Sequence, residues 1–182
     1  MSENQISNAE AALMGLLAES PKHPYQIEKD VDYRDMRSWT DLSMSSIYKL
    51  LNKLEQGGLV KSAVELSEGN RARKTFELTV AGLEALEIKL RELLRKPVVP
   101  KDPFHVGIYN SDLLPADEVL DCLKQYRENV VELIDCYGRL EQFLKDSNCS
   151  AARLAVATRP RFQWEGELRW LDEYLQELQA TD

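Results

Sequence analysis

The sequence predicts a mainly α fold interrupted by one small β-hairpin, and three observations carry that prediction. Apolar residues recur at helical spacing along most of the 182 residues. One stretch, Leu59 to Leu78, departs from that rhythm and reads as two strands around a polar turn. Lys96 to Pro103 holds three prolines in eight residues, which marks a linker between two domains. The expected organisation is therefore a first domain at 1–96, a linker at 97–103 and a helical second domain at 104–182.

The first helix is expected from Gln5 to Ala18, capped by Ser7 or Asn8, with Ala12, Leu13, Leu16 and Leu17 as its apolar stripe. Ser20 to Pro24 is a turn, and Pro24 suits the first position of a second helix, where its missing N–H costs nothing. Tyr25, Ile27, Val31 and Met36 give that helix a sparse apolar face. Asp30, Asp32 and Asp35 lack the spacing of a calcium loop and read as a solvated acidic turn.

The third helix is expected from Ser43 to Gln56. Met44, Ile47, Leu50, Leu51 and Leu54 form its buried side, and Ser45, Ser46, Tyr48, Lys49, Asn52 and Lys53 the other. Gly57-Gly58 stops it, because glycine adopts the left-handed conformation without steric cost. Leu59, Val60, Val64 and Leu66 carry the first strand, Ser67 to Arg71 the turn, and Ala72 to Leu78 the returning strand. Thr79 then caps a fourth helix to about Arg95, with Leu83, Leu86, Leu90, Leu93 and Leu94 as its stripe.

Beyond the linker and Phe104 to Tyr109, a long helix is expected from Pro115 to Lys145. Val119, Leu123, Tyr126, Val130, Leu133, Tyr137, Leu140 and Leu144 recur at alternating steps of four and three, an unbroken heptad stripe. A last helical region spans Ser150 to Gln179, with Pro160 expected to kink or restart it, and Trp164, Leu168, Leu171, Leu175 and Leu178 repeat the rhythm. Two such stripes exceed what a segment of this size can bury alone, which points to a coiled-coil-like homodimer interface formed by Val119 to Leu144 and Trp164 to Leu175.

Helix, stop, strand, basic turn and strand in succession are the sequence form of a winged helix-turn-helix, which implies double-stranded DNA as partner. The polar row of the third helix offers Ser, Tyr, Lys and Asn side chains, which donate to phosphates and base edges. Asn52 suits adenine, and Lys49 or Lys53 suits guanine or phosphate; Arg71, Arg73 and Lys74 make the hairpin basic. The formal charge of −8 argues the other way until it is divided. Residues 1–96 carry −1 and residues 97–182 carry −7, while 43–74 hold six basic side chains against three acidic ones. Screening beyond a Debye length of about 8 Å makes the local balance the relevant one.

Catalysis finds no support, since no nucleophile elbow, phosphate-binding glycine loop or H-E-x-x-H pattern occurs. Cys122, Cys136 and Cys149 are odd in number and contain no C-x-x-C pair, which fits a reducing cytoplasm. Cys122 and Cys136 are expected as buried small apolar residues. No cofactor or metal site is expected, nor a membrane span or signal peptide.

Three segments carry a family resemblance: HPYQI at 23–27, SSIYKLLNKLEQGGLV at 45–60 and RKTFELTVAGLEAL at 73–86. They resemble the HGYEL, tYPaLkrLEeeGLv and rkyYrLTeaGrehL segments of the PadR family of prokaryotic transcriptional regulators, in the same order. The second half, with Trp170-Leu171 near its end, is similar to the dimerisation region of the longer members. Lys49 stands where the family has proline, and Phe76 where it has tyrosine. The resemblance implies DNA contacts at Tyr25, Ser46, Tyr48, Asn52, Lys53, Arg73 and Lys74, with packing between the second and third helices as the alternative for Tyr48. It also implies a pseudo-palindromic operator, repression, and a small aromatic or cationic effector. Trp39, Phe104, His105, Tyr109, Trp164 and Trp170 are the effector candidates, each with packing as the alternative. A winged helix serving protein interaction, or a small-molecule sequestration protein, is the competing expectation.

Overall fold

The computed structural model describes residues 6–66 and 72–181. The hairpin turn with Arg71, and the expected helix start at Gln5, lie outside the described residues. The chain divides into two compact units, Met1–Val99 and Pro100–Asp182.

In the first unit α1 (Asn8–Glu19), α2 (Pro24–Tyr33) and α3 (Met44–Gln56) precede β1 (Val60–Leu66) and β2 (Ala72–Leu78), and α4 (Val80–Arg95) follows. Ser7 caps α1 through a reciprocal box with Glu10, in which each side chain accepts the other's backbone N–H. Before Pro24 the cap is His23, whose ring Nδ1 accepts the Gln26 N–H. Between α2 and α3 the chain passes through Asp35 in the left-handed region (φ 48°) and a short 3-10 turn, Met36–Ser38. Leu13, Met14, Ile27, Val31, Ile47 and Leu51 are fully buried, so three amphipathic helices share one core, with Val60, Phe76 and Leu86 closing it.

The hairpin is antiparallel, in register from Val60↔Leu78 to Leu66↔Ala72. Lys22 and Phe76 exchange two backbone hydrogen bonds of 2.9 Å, which tie the α1–α2 turn to the wing. Gly58 turns the chain out of α3 at φ 71°, where a Cβ would be strained. Thr79 caps α4 through its hydroxyl and donates to the Gly58 carbonyl. Gly82 is required by proximity, because a Cβ there would stand 2.0 Å from the Leu59 carbonyl oxygen. The stripe expected on α4 is mostly uncovered within the unit. Leu86 is buried, but Leu83, Leu90, Leu93 and Leu94 are exposed.

The second unit holds α5 (Pro103–Tyr109), a 3-10 turn (Ser111–Leu113), and two 31-residue helices, α6 (Ala116–Asp146) and α7 (Ala151–Thr181). The pairs Arg127–Asp172 and Arg161–Glu141 show that α6 and α7 run antiparallel as a hairpin. This corrects the premise that the heptad stripes need a second chain throughout. Leu123, Val130, Leu171 and Leu175 are already buried within one chain, with Val119, Tyr126 and Leu178 packed beside them. Leu133 and Leu140 remain exposed, and Tyr137, Leu144, Trp164 and Leu168 are half-buried. Pro160 does not restart the last helix, since α7 is one helix through it. The proline removes the donor for the Val156 carbonyl, and Val156 is exposed, so solvent can replace that bond. Cys122 and Cys136 are exposed rather than buried, because α7 covers a different face of α6. No helix among the described residues is long and apolar enough to cross a membrane.

Candidate nucleic-acid interface

Helix α3 is amphipathic by construction. Ile47, Leu51 and Leu54 anchor it in the core, and this turns Ser45, Tyr48, Lys49, Asn52 and Lys53 outward. Tyr48 is 51% exposed, so the packing alternative between α2 and α3 does not hold. Tyr25 on α2 is also exposed, with the Lys29 ammonium 4.7 Å from its ring centre. Ser45, Lys49 and Asn52 follow one another at helical spacing along the outer face, and Lys49 has no ion pair among the described residues.

Two expected contacts are otherwise engaged. Ser46 closes the cap of α3: its hydroxyl accepts the Ser43 N–H at 2.7 Å and lies 2.7 Å from the Ser43 carbonyl, and its own N–H reaches the Ser43 hydroxyl. Lys53 bends back onto α1, where its ammonium lies 2.8 Å from Glu10 Oε1. The Glu10 side chain is 2% exposed, and its other oxygen accepts the Ser7 N–H at 2.7 Å. Burial pushes the Glu10 pKa up, but the hydrogen bonds from Lys53 and Ser7 and the charge of Lys53 outweigh it and hold the carboxyl below the usual range.

The returning strand β2 divides its two cations between its faces, as strand alternation requires. Lys74 lies on the Phe76 face, 4.8 Å from that ring centre, and its ammonium is 2.7 Å from Glu55 on the last turn of α3. Glu55 also accepts from the Ser62 hydroxyl on β1. These contacts, Lys74 first, lower its pKa. Arg73 is exposed on the opposite face, paired in register with Glu65.

Sequence reasoning missed the groups that set α3 in place. The Ser7–Glu10 spacing signals a capping box, but its reach to Lys53 is tertiary. Arg37 was not anticipated either. Its Nε donates to the Leu42 carbonyl at 2.8 Å, and its terminal nitrogens pair with Asp32 and Glu28, bracing the α2–α3 connection. The acidic run is thus salt-linked rather than merely solvated. Asp30 meets Lys22 at 2.9 Å, and no acidic, His and Cys group among the described residues is arranged to hold a metal.

Of the effector candidates, Phe104 and Trp170 are brought together. Phe104 stacks on Tyr126 at 4.1 Å between ring centres, Trp170 meets Phe104 edge-on at 6.1 Å, and Tyr174 stacks on Trp170 at 5.4 Å. Tyr126 donates to Glu167, and burial, then the Glu167 charge, pushes its pKa up to about 12. His105 and Tyr109 are exposed, Trp164 is half-buried in the same unit, and Trp39 is exposed in the first.

Solved structures of the same fold are similar over nearly the whole chain. Bacillus subtilis PadR in complex with operator DNA is 20% identical, with a TM-score of 0.76, covering 93% of this chain and 98% of that one. The same protein in complex with p-coumaric acid is 20% identical with a TM-score of 0.75, covering 93% and 98%. The Vibrio cholerae virulence activator AphA is 20% identical with a TM-score of 0.69, covering 96% and 100%. No curated protein is significantly similar in sequence. The family model for the transcriptional regulator PadR-like family matches residues 13–88, from the core of α1 through the wing into α4. That match covers the winged helix, so residues 13–88 are similar to the transcriptional regulator PadR-like family, and the solved structures show the same fold over nearly the whole chain.

Proposed function

We propose that this chain is a PadR-like regulator that acts as a cytoplasmic homodimeric repressor of a pseudo-palindromic operator and is released by a small aromatic or cationic effector. One observation carries the reading. The exposed row Ser45, Tyr48, Lys49 and Asn52 stands on a helix whose other side is locked into the core, the arrangement a major-groove reader needs. Tyr25 and Arg73 extend the contact to flanking backbone. The operator complex of Bacillus subtilis PadR supports DNA as the partner, and its p-coumaric acid complex supports an aromatic effector.

Self-association is supported by apolar surface left over after each unit folds. Leu133, Leu140 and Phe143 on α6 and Leu83, Leu90 and Leu93 on α4 are exposed, more than an isolated soluble chain usually leaves in rows. Pairing multiplies a weak half-site affinity, which a locally basic patch on a chain of net charge −8 requires.

Selection from a random duplex library, followed by gel shift, tests the proposal. The expected result is a two-fold symmetric site, bound by the wild type and lost on Lys49→Ala with Asn52→Ala. Failure to enrich any duplex at low salt overturns it. The acidic balance would then favour the protein-interaction reading, checked by recovery of a defined partner with the full chain.

A further inference from the structure

We infer that Lys53, although it lies on the outer face of α3, is a positioning residue rather than a phosphate or base contact, and that Lys49 supplies the cation of that helix. The inference rests on the DNA-binding reading above and assigns roles within the same face.

The argument is a comparison of three lysines by what holds each ammonium. Lys53 is 63% exposed along its side chain, so exposure alone would nominate it. Its terminal nitrogen is nonetheless 2.8 Å from Glu10 Oε1, on a carboxylate that is 2% exposed. A carboxylate so deeply placed stays ionised only with a partner, and Lys53 is its cation among the described residues. A phosphate recruiting Lys53 would strip that partner and leave a buried charge uncompensated. Lys74 differs, because both it and Glu55 are partly exposed and solvent can take over either one. Lys49, one helical turn before Lys53, is exposed and has no ion pair among the described residues, so it meets a phosphate without losing anything.

The geometry gives the Glu10–Lys53 pair a further task. Glu10 sits in the first turn of α1 and Lys53 in the last turn of α3, and Glu55 in that same turn binds Ser62 and Lys74 of the wing. The C-terminal turn of α3 is therefore pinned to α1 on one side and to the hairpin on the other. Loosening the first pin lets α3 rotate relative to the wing, which blurs base readout while leaving non-specific phosphate attraction intact.

Salt-dependent affinities for the selected operator and for a scrambled duplex, measured on the full chain, test this. Lys49→Ala should reduce the slope of log K against log salt by about 0.9 per half-site. Lys53→Met should leave the slope unchanged but cut the operator-to-scrambled ratio about tenfold, the scale of one mis-set base contact. Because Lys53→Met strands a buried carboxylate, Glu10→Gln with Lys53→Met is the control. It should recover the melting midpoint but not the ratio, which a purely structural role would restore. A slope flattened by Lys53→Met as much as by Lys49→Ala overturns the assignment, and an unchanged ratio in the double variant overturns the positioning role. If the wild type binds no duplex, the DNA reading fails and takes this inference with it, a result distinct from either reversal.

Discussion

The winged-helix unit and the α6–α7 hairpin solve the burial problem in opposite ways. The first packs three helices and a hairpin around one shared centre, so six large apolar side chains lose all contact with solvent. The second has only two layers, and its core is a seam centred on Leu123, Leu171 and Leu175, extended by aromatic stacking around Phe104. A seam covers one stripe of each helix and leaves the flanks wet, which is why Leu133, Leu140 and Phe143 stay exposed. The difference teaches that a heptad stripe can serve its own chain first and still leave surface for a second copy.

Truncating the dense core sharpens the contrast most. Leu51→Ala should cost about 2–5 kcal/mol, because the surrounding helices cannot collapse onto the cavity. Calorimetry should show a lowered first-unit transition whose midpoint does not depend on protein concentration. Gly82→Ala comes next, at about 1–3 kcal/mol, since its methyl must push α4 away from the Leu59 carbonyl. A melting curve unchanged by that substitution would mean that the contact relaxes freely.

The hairpin should respond in another way. Leu133→Glu with Leu140→Glu adds charge to exposed positions, so the monomer should keep its helicity while sedimentation shows loss of the proposed dimer and gel shift shows weaker binding to the selected duplex. Retained dimerisation would place the interface elsewhere. A smaller effect concerns pH. Glu10 has a lowered pKa when folded, so its pair with Lys53 adds stability above the ordinary glutamate range, near pH 4.3, and that contribution is lost as pH falls through the folded value. Acid titration of Glu10→Gln should therefore show a shallower loss of stability below about pH 4 than the wild type does. Smallest of all, Arg127→Ala breaks an exposed pair with Asp172 and should leave the melting midpoint unmoved.

The order of elements, the caps at Ser7 and Thr79, the Gly-Gly stop and the two strands of the hairpin were legible in the residues. Each depends on neighbours a few positions away, and local sterics and hydrogen bonding decide them. The outward row of α3 was legible for the same reason, as periodicity assigns one face to the core. The charge partners on that face were not. Ser46 looked free until its hydroxyl closed the cap, and Lys53 and Lys74 looked like a basic patch until Glu10 and Glu55 met them.

By itself, then, the sequence determined the helices, the wing and the outward face of α3, because those follow from short-range pattern. The tertiary structure alone decided which cations on that face are free, which half of each heptad stripe is already used, and that α7 runs unbroken through Pro160. Those outcomes rest on groups 20 to 45 positions apart in the chain, and no local periodicity reports where a folded backbone brings such groups together.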